Sequence, residues 1–202
     1  MKTNMKMKTM KLSALAFAAL VMGLISCGKD DTPTPPDTKV SVTDSIQVPF
    51  SPSAPFTLYR FKDSSVVANS DSASGNWDFG IRFVNIIVNG SVITQQGIYD
   101  SFNSAPESGY VADTTVTTGD TSYVKTAIDA GFTTGWYNYD LADPTHTFHP
   151  KAGQFFVFKT RDGHYAKMEI LSVNYLPFQG PAPTTLVYKF RYTYQSDGSK
   201  NF

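Results

Sequence analysis

Residues 186–195 alternate without interruption. Leu186, Tyr188, Phe190, Tyr192 and Tyr194 fall on one side, and Val187, Lys189, Arg191, Thr193 and Gln195 on the other. A period of two sends successive side chains to opposite faces of a strand. This segment therefore reads as a strand with an aromatic face on the core and a largely polar face turned away. A second pair of runs surrounds Arg161-Asp162-Gly163. Upstream lies Phe155-Phe156-Val157-Phe158; downstream, Ala166, Met168 and Ile170 alternate with Lys167 and Glu169. Asp-Gly between two such runs is a strong hairpin signal. Further strands are expected at 56–61, 76–83, 85–88, 97–99 and 136–139. Helix is scarce: residues 123–130 could form two turns at most. Polar stretches at 101–107, 113–122 and 140–151 read as long loops, a class that is often functional or mobile. The chain is expected to be all-β, a mainly antiparallel sheet domain with long loops and little helix.

The N-terminus reads as an export signal. Lys2, Lys6, Lys8 and Lys11 precede a 14-residue apolar run, LSALAFAALVMGLI. That is short of the roughly 20 residues a membrane-spanning helix needs and suits a signal peptide. The run ends in Leu24-Ile25-Ser26-Cys27, an order similar to the bacterial lipobox, in which the chain is cut before the Cys and the thiol is lipidated. The expected organisation is a signal peptide over 1–26, a lipidated Cys27 with a Pro-rich tether over 27–39, and one β-rich domain over 40–202. Acyl chains such as palmitate on Cys27 would hold the domain at a membrane surface by the anchor alone, at roughly 0.8 kcal/mol per buried methylene.

Composition excludes several functions. Seventeen Lys and Arg balance 17 Asp and Glu, so the chain is not a strongly basic nucleic-acid binder. A single Cys excludes a disulfide framework and a Cys-built zinc site. There is no G-x-S-x-G elbow, P-loop or dinucleotide glycine pattern, and the only Glu residues are Glu107 and Glu169. No enzymatic activity is expected. His164 follows the Asp-Gly turn and reads as an exposed hairpin residue. His146 and His149, three apart in one loop, could reach one metal ion or a haem iron; the alternative is a solvated polar loop. Two imidazoles without a third ligand do not define a zinc site.

Several stretches taken together resemble the HmuY family of haem-binding lipoproteins. They are Asn76-Trp77-Asp78-Phe79 with Arg82 and Asn89-Gly90; Gly135-Trp136-Tyr137; residues 155–160; Asp162-Gly163 followed by Tyr165-Ala166-Lys167-Met168-Glu169-Ile170; and Tyr188 to Tyr194. The resemblance implies an antiparallel β domain, export, and transfer of captured haem to a TonB-dependent outer-membrane receptor. It also implies an iron clamped by His or Met from two loops, here roughly 113–131 and 140–151. The first contains neither His nor Met, and Met168 is the only Met beyond the signal segment. The expected haem or porphyrin site therefore uses His146 or His149 on one side. Tyr123, Tyr137 and Tyr139, in or beside the two loops, are expected to bind the macrocycle by ring contacts or through a phenol oxygen, with Tyr110 and Phe148 nearby. The expected location is the outer membrane or cell surface. The alternative is a surface module on the same scaffold that binds a sugar, a peptide or a receptor instead of haem.

Overall fold

The computed structural model describes residues 39–177, 180 and 182–202. The signal segment, Cys27 and the tether up to residue 38 lie outside the described residues. Among the described residues thirteen strands follow in order: β1 Lys39–Pro49, β2 Thr57–Arg60, β3 Ser65–Val67, β4 Phe79–Arg82, β5 Asn85–Val88, β6 Gly90–Gln96, β7 Thr114–Thr118, β8 Thr121–Lys125, β9 Tyr137–Asn138, β10 His149–Pro150, β11 Gln154–Thr160, β12 Tyr165–Tyr175 and β13 Thr185–Gln195. Every pairing is antiparallel. One sheet runs β1-β13-β12-β11-β6 and a second runs β3-β2-β4-β5; β9 with β10 and β7 with β8 form two small pairs. The only helical turns among the described residues are single 3-10 turns at Asn69–Asp71 and Tyr99–Ser101.

The alternation in β13 explains the core. Its five inward residues, Leu186 to Tyr194, are almost fully buried. They meet the smaller sheet ring against ring: Tyr59 lies edge-on to Phe190 at 5.1 Å and Phe61 sits 4.9 Å from Tyr192. Burying a tyrosine requires a partner for its hydroxyl. Tyr192 donates to the Phe61 carbonyl at 2.9 Å, Tyr188 to the Phe83 carbonyl at 2.5 Å, and Tyr59 to Asp44 Oδ2 at 2.6 Å. Met168 on β12 is completely buried in this core.

The unbroken run in β11 has a different cause. Phe156 and Phe158 enter the main core, while Phe155 and Val157 enter a smaller cluster with Tyr99, Ala105 and Tyr165 on the opposite face. That cluster also covers part of the outer face of β12 and β13, expected to be largely polar and exposed. Lys167 and Thr193 are buried there. The Lys167 ammonium donates to the Tyr99 and Phe102 carbonyls at 2.9 and 2.8 Å, which satisfies the buried charge. Glu169 lies on the same outer face and pairs with Arg191 Nε at 2.7 Å. The register shifts between Ile170 and Ser172, and Leu171 bulges out, 40% exposed.

Some local expectations fail. The two helical turns at 123–130 are absent: Tyr123 belongs to β8, and the loop expected at 113–122 is mostly the β7–β8 hairpin. Thr, Val and Tyr favour the extended backbone, and Thr117 and Ser122 join their hydroxyls across the pair at 2.9 Å. The strand expected at 97–99 lies at Gly90–Gln96 instead. Tyr99 is turned into the smaller cluster by its 3-10 turn. The strand expected at 76–83 begins only at Phe79, because Asp78 Oδ2 accepts the Phe61 amide at 2.7 Å and the Trp77 indole donates to the Ser72 carbonyl. Lys39, given to the tether, already opens β1.

Candidate functional site

The loop from residue 139 to 148 is closed at its base by β9 and β10, where His149 pairs with Asn138 and Pro150 with Tyr137. Within it, Asp143 organises the backbone. Its carboxylate accepts the Thr145 amide and hydroxyl at 2.8 and 2.7 Å, and its carbonyl accepts the His146 amide at 3.0 Å. The Thr145 contacts hold this carboxyl well below the usual carboxylate range. The turn leaves His146 in the left-handed region, with φ of 50°. A non-glycine residue there costs roughly 1–2 kcal/mol and needs support from its surroundings.

The support is visible. Tyr175, at the end of β12, donates its hydroxyl to the His146 carbonyl at 2.7 Å. The Tyr139 hydroxyl lies 3.1 Å from His146 Nδ1, with the two rings stacked at 25°. Aromatic contacts close a circuit from there. Tyr139 stacks on Phe148 at 5.1 Å, Phe148 meets Phe83 at 5.4 Å, Phe83 meets Phe50 at 5.2 Å, and Phe50 meets Tyr175 at 5.4 Å. Phe83 reaches this circuit because the β4–β5 turn is held at its tip. The Tyr188 hydroxyl bonds the Phe83 carbonyl, the Trp136 indole bonds the Val84 carbonyl at 2.9 Å, and Phe83 itself sits at φ 54°. Phe132, 53% exposed, lies against Tyr139 at 5.6 Å, and Leu141 in the same loop is 71% exposed.

The structure thus brings Tyr139, His146 and Phe148 together and distributes the other candidates. Tyr137 is buried behind them, packed on Trp136 and Phe148, with its hydroxyl 3.3 Å from the Ala130 carbonyl. His149 is exposed, and its Nε2 lies 3.3 Å from Asp143 Oδ2. Tyr123 stands 55% exposed on β8, opposite Val116. Tyr110 packs on Tyr165 in the smaller cluster. His164 sits beyond the far end of β11, its Nδ1 3.0 Å from Asp162 Oδ2. Phe50, Phe83, Phe132 and Tyr175 belong to the patch but carry no signal in the sequence, because they come from four separate segments joined only by the fold.

The two imidazoles differ chemically. A histidine offers one ring nitrogen to a metal while the other makes the hydrogen bond that orients the ring. His146 has Nδ1 engaged by Tyr139, and among the described residues Nε2 has no hydrogen-bond partner. His149 has Nε2 engaged by Asp143, which leaves it only Nδ1, the ring nitrogen next to the backbone and the more hindered one for a ligand as bulky as a haem. No group of three or more His, Cys, Asp and Glu among the described residues could enclose a metal ion. The donor set therefore fits a single axial ligand beside aromatic rings, the way a planar iron chelate is held, and does not fit a closed metal site. The other segment expected to contribute, 113–131, is pinned at its base: Asp113 accepts the Val88 amide at 2.9 Å and the Ala127 amide at 2.7 Å, and burial pushes its carboxyl pKa up. No helix among the described residues is long and apolar enough to cross a membrane.

Comparison with known proteins agrees with this architecture. Among solved structures, the apo form of an HmuY analogue from Tannerella forsythia superposes with a TM-score of 0.50 at 12% identity, covering 77% of this chain and 98% of that one. A candidate HmuY-like heme binding protein from Bacteroides vulgatus matches with a TM-score of 0.45 at 16% identity, covering 74% and 90%. A candidate lipoprotein from Bacteroides fragilis matches with a TM-score of 0.44 at 15% identity, covering 73% and 89%. No curated protein sequence matches the chain. The HmuY protein family matches residues 54–188, from just before β2 into β13, and the chain belongs to that family.

Proposed function

We propose that this protein binds haem at the aromatic patch, with His146 as the iron ligand through Nε2. The observation that carries the proposal is the Tyr139–His146 contact, which fixes the ring and leaves Nε2 without a partner among the described residues. Family membership and the heme-binding assignment of the Bacteroides vulgatus relative support the class of ligand. Haem, when bound, supplies the iron and a flat apolar face. The chain supplies one imidazole, the exposed ring of Phe132 and the half-buried ring of Tyr139 to receive that face. The roles expected of Tyr123 and Tyr137 are secondary in this reading: the first lies on another hairpin and the second behind Phe148. Residues 113–131 hold no His or Met that would serve as a further ligand.

The same reading makes the protein an exported lipoprotein, anchored through Cys27 at the outer membrane or cell surface. It would capture haem and pass it to a TonB-dependent receptor. With His146 as the one ligating side chain, the chain would hold haem in a way that suits hand-over to a receptor. The family is one of binding proteins, and no reaction is assigned. Titration of the purified protein with hemin tests the reading: a saturable, shifted Soret band near one equivalent supports it, and a spectrum unchanged from free hemin at micromolar protein counts against it. In the latter case the second reading stands, a surface interaction module. What favours that reading is the β7–β8 hairpin, where Tyr123 and Val124 are each 55% exposed.

A further inference from the structure

A cleft of about 330 Å³ opens at the far end of β11 from the aromatic patch. Seven residues of extended strand, about 20 Å, separate Gln154 near the histidine loop from Thr160 beside this cleft. Its walls carry Arg60, Lys62, Arg161, Asp78, Asp162 and Tyr194. Charges of both signs line it, yet they do not neutralise one another. Arg60 is committed to Asp63, outside the lining. Asp162 contacts only His164 among cationic side chains. Lys62 and Arg161 make no ion pair among the described residues, and neither does Asp78. Opposite charges facing one cleft without meeting leave a gap that a dipolar molecule can bridge.

The floor is prepared in the same sense. Asp78 is half-buried, and among the described residues its carboxylate is used only at Oδ2, by the Phe61 amide. Burial pushes its carboxyl pKa up to about 6. Tyr194 is almost wholly buried and forms part of the cleft wall. Gly75 makes room for Arg161: a Cβ there would lie 2.7 Å from the guanidinium, on a backbone with φ of 78°. A half-buried carboxylate left without a cation is unfavourable for folding alone, and such groups gather at ligand sites.

We propose that this cleft binds a small zwitterion, a free α-amino acid or a short unblocked peptide, its ammonium on Asp78 and the Tyr194 hydroxyl and its carboxylate on Arg161 and Lys62. The volume lies at the small end of ligand pockets, which suits a ligand of this size. The site is independent of the haem reading and stands or falls without it.

The test is titration of the isotopically labelled protein, without hemin, at millimolar concentrations followed by amide NMR. The probes are L-alanine, L-alanyl-L-alanine, acetate and methylammonium. Saturable shifts at Gly75, Asn76 and Gly163 with either zwitterion are expected, and whichever binds more tightly tells free amino acid from peptide. Acetate and methylammonium should each bind at least about tenfold more weakly, since each lacks one charged hydrogen bond. Arg161→Gln, an exposed change, should weaken the zwitterion by a similar factor with the thermal midpoint unchanged, and Asp78→Asn should do so with the Phe61 amide contact retained. Absence of saturation with both zwitterions, or acetate binding as tightly as they do, overturns the proposal. So does unchanged affinity in Arg161→Gln.

Discussion

The hydroxyl of Tyr139 lies 3.1 Å from Nδ1 of His146, seven residues along a loop whose turn at His146 is left-handed. That contact leaves Nε2 of His146, the proposed iron ligand, without a partner among the described residues, and in that proposal Tyr139 is a positioning residue. Tyr139→Phe keeps the stacking and removes the hydrogen bond. Loss of an outer hydrogen bond to a ligating histidine typically costs 10–100-fold in metal affinity. Hemin affinity in Tyr139→Phe should therefore fall by about tenfold or more, with the Soret band still shifted at saturation. Equal affinities, measured by hemin titration, would remove Tyr139 from the account.

Tyr175 acts through the backbone. Its hydroxyl bonds the carbonyl of the strained His146. Tyr175→Phe should cost about 1 kcal/mol of stability by urea denaturation, the ordinary value of one such bond. It should also weaken hemin binding, because the loop is then less well held in the left-handed turn. A stability loss with unchanged hemin affinity would show that the turn is maintained by Asp143 alone.

The core makes a larger prediction. Phe79 is completely buried and contacts rings from both sheets, Tyr59 and Phe61 at 5.2 and 5.3 Å and Phe158 and Phe190 at 6.0 and 5.6 Å. Phe79→Ala should destabilise the domain by roughly 3–5 kcal/mol, read from the denaturation midpoint at constant slope. A loss under about 1 kcal/mol would mean that the two sheets do not pack through this ring.

These contacts also mark how far the sequence could be read. The alternation at Leu186–Tyr194 and the Asp-Gly turn at 162–163 specify β11, β12 and β13, because local periodicity and turn chemistry act within a few residues. The β7–β8 hairpin is less visible. Its Gly119-Asp120 turn is a hairpin signal, but Thr on both sides makes the segment look like a polar loop. Tyr137 and Tyr139 look equivalent at a spacing of two. The strand ends at Asn138, so Tyr137 turns inward and Tyr139 leaves the sheet to meet His146. The spacing of His146 and His149 could not tell them apart, because the difference lies in which ring nitrogens Tyr139 and Asp143 occupy.

Asp78 gives a pH prediction. Burial raises its pKa from the usual carboxylate value to about 6, so the folded state holds this proton more tightly than the unfolded state. Its contribution to stability is full below about pH 4 and is lost as the pH rises through about 6. The loss is at most on the order of 3 kcal/mol for a shift of this size. Asp78→Asn removes the titration and can keep the Phe61 amide contact. Thermal melts should therefore show the variant gaining on the unsubstituted protein between pH 4 and pH 7. A constant difference across that range would mean that Asp78 titrates normally.

Hemin titration of His146→Ala beside His149→Ala decides the proposed ligand. His146→Ala should lose the shifted, saturable Soret band, while His149→Ala should keep it at nearly unchanged affinity. A His146→Ala protein whose band and affinity match those of the unsubstituted chain would contradict the proposal.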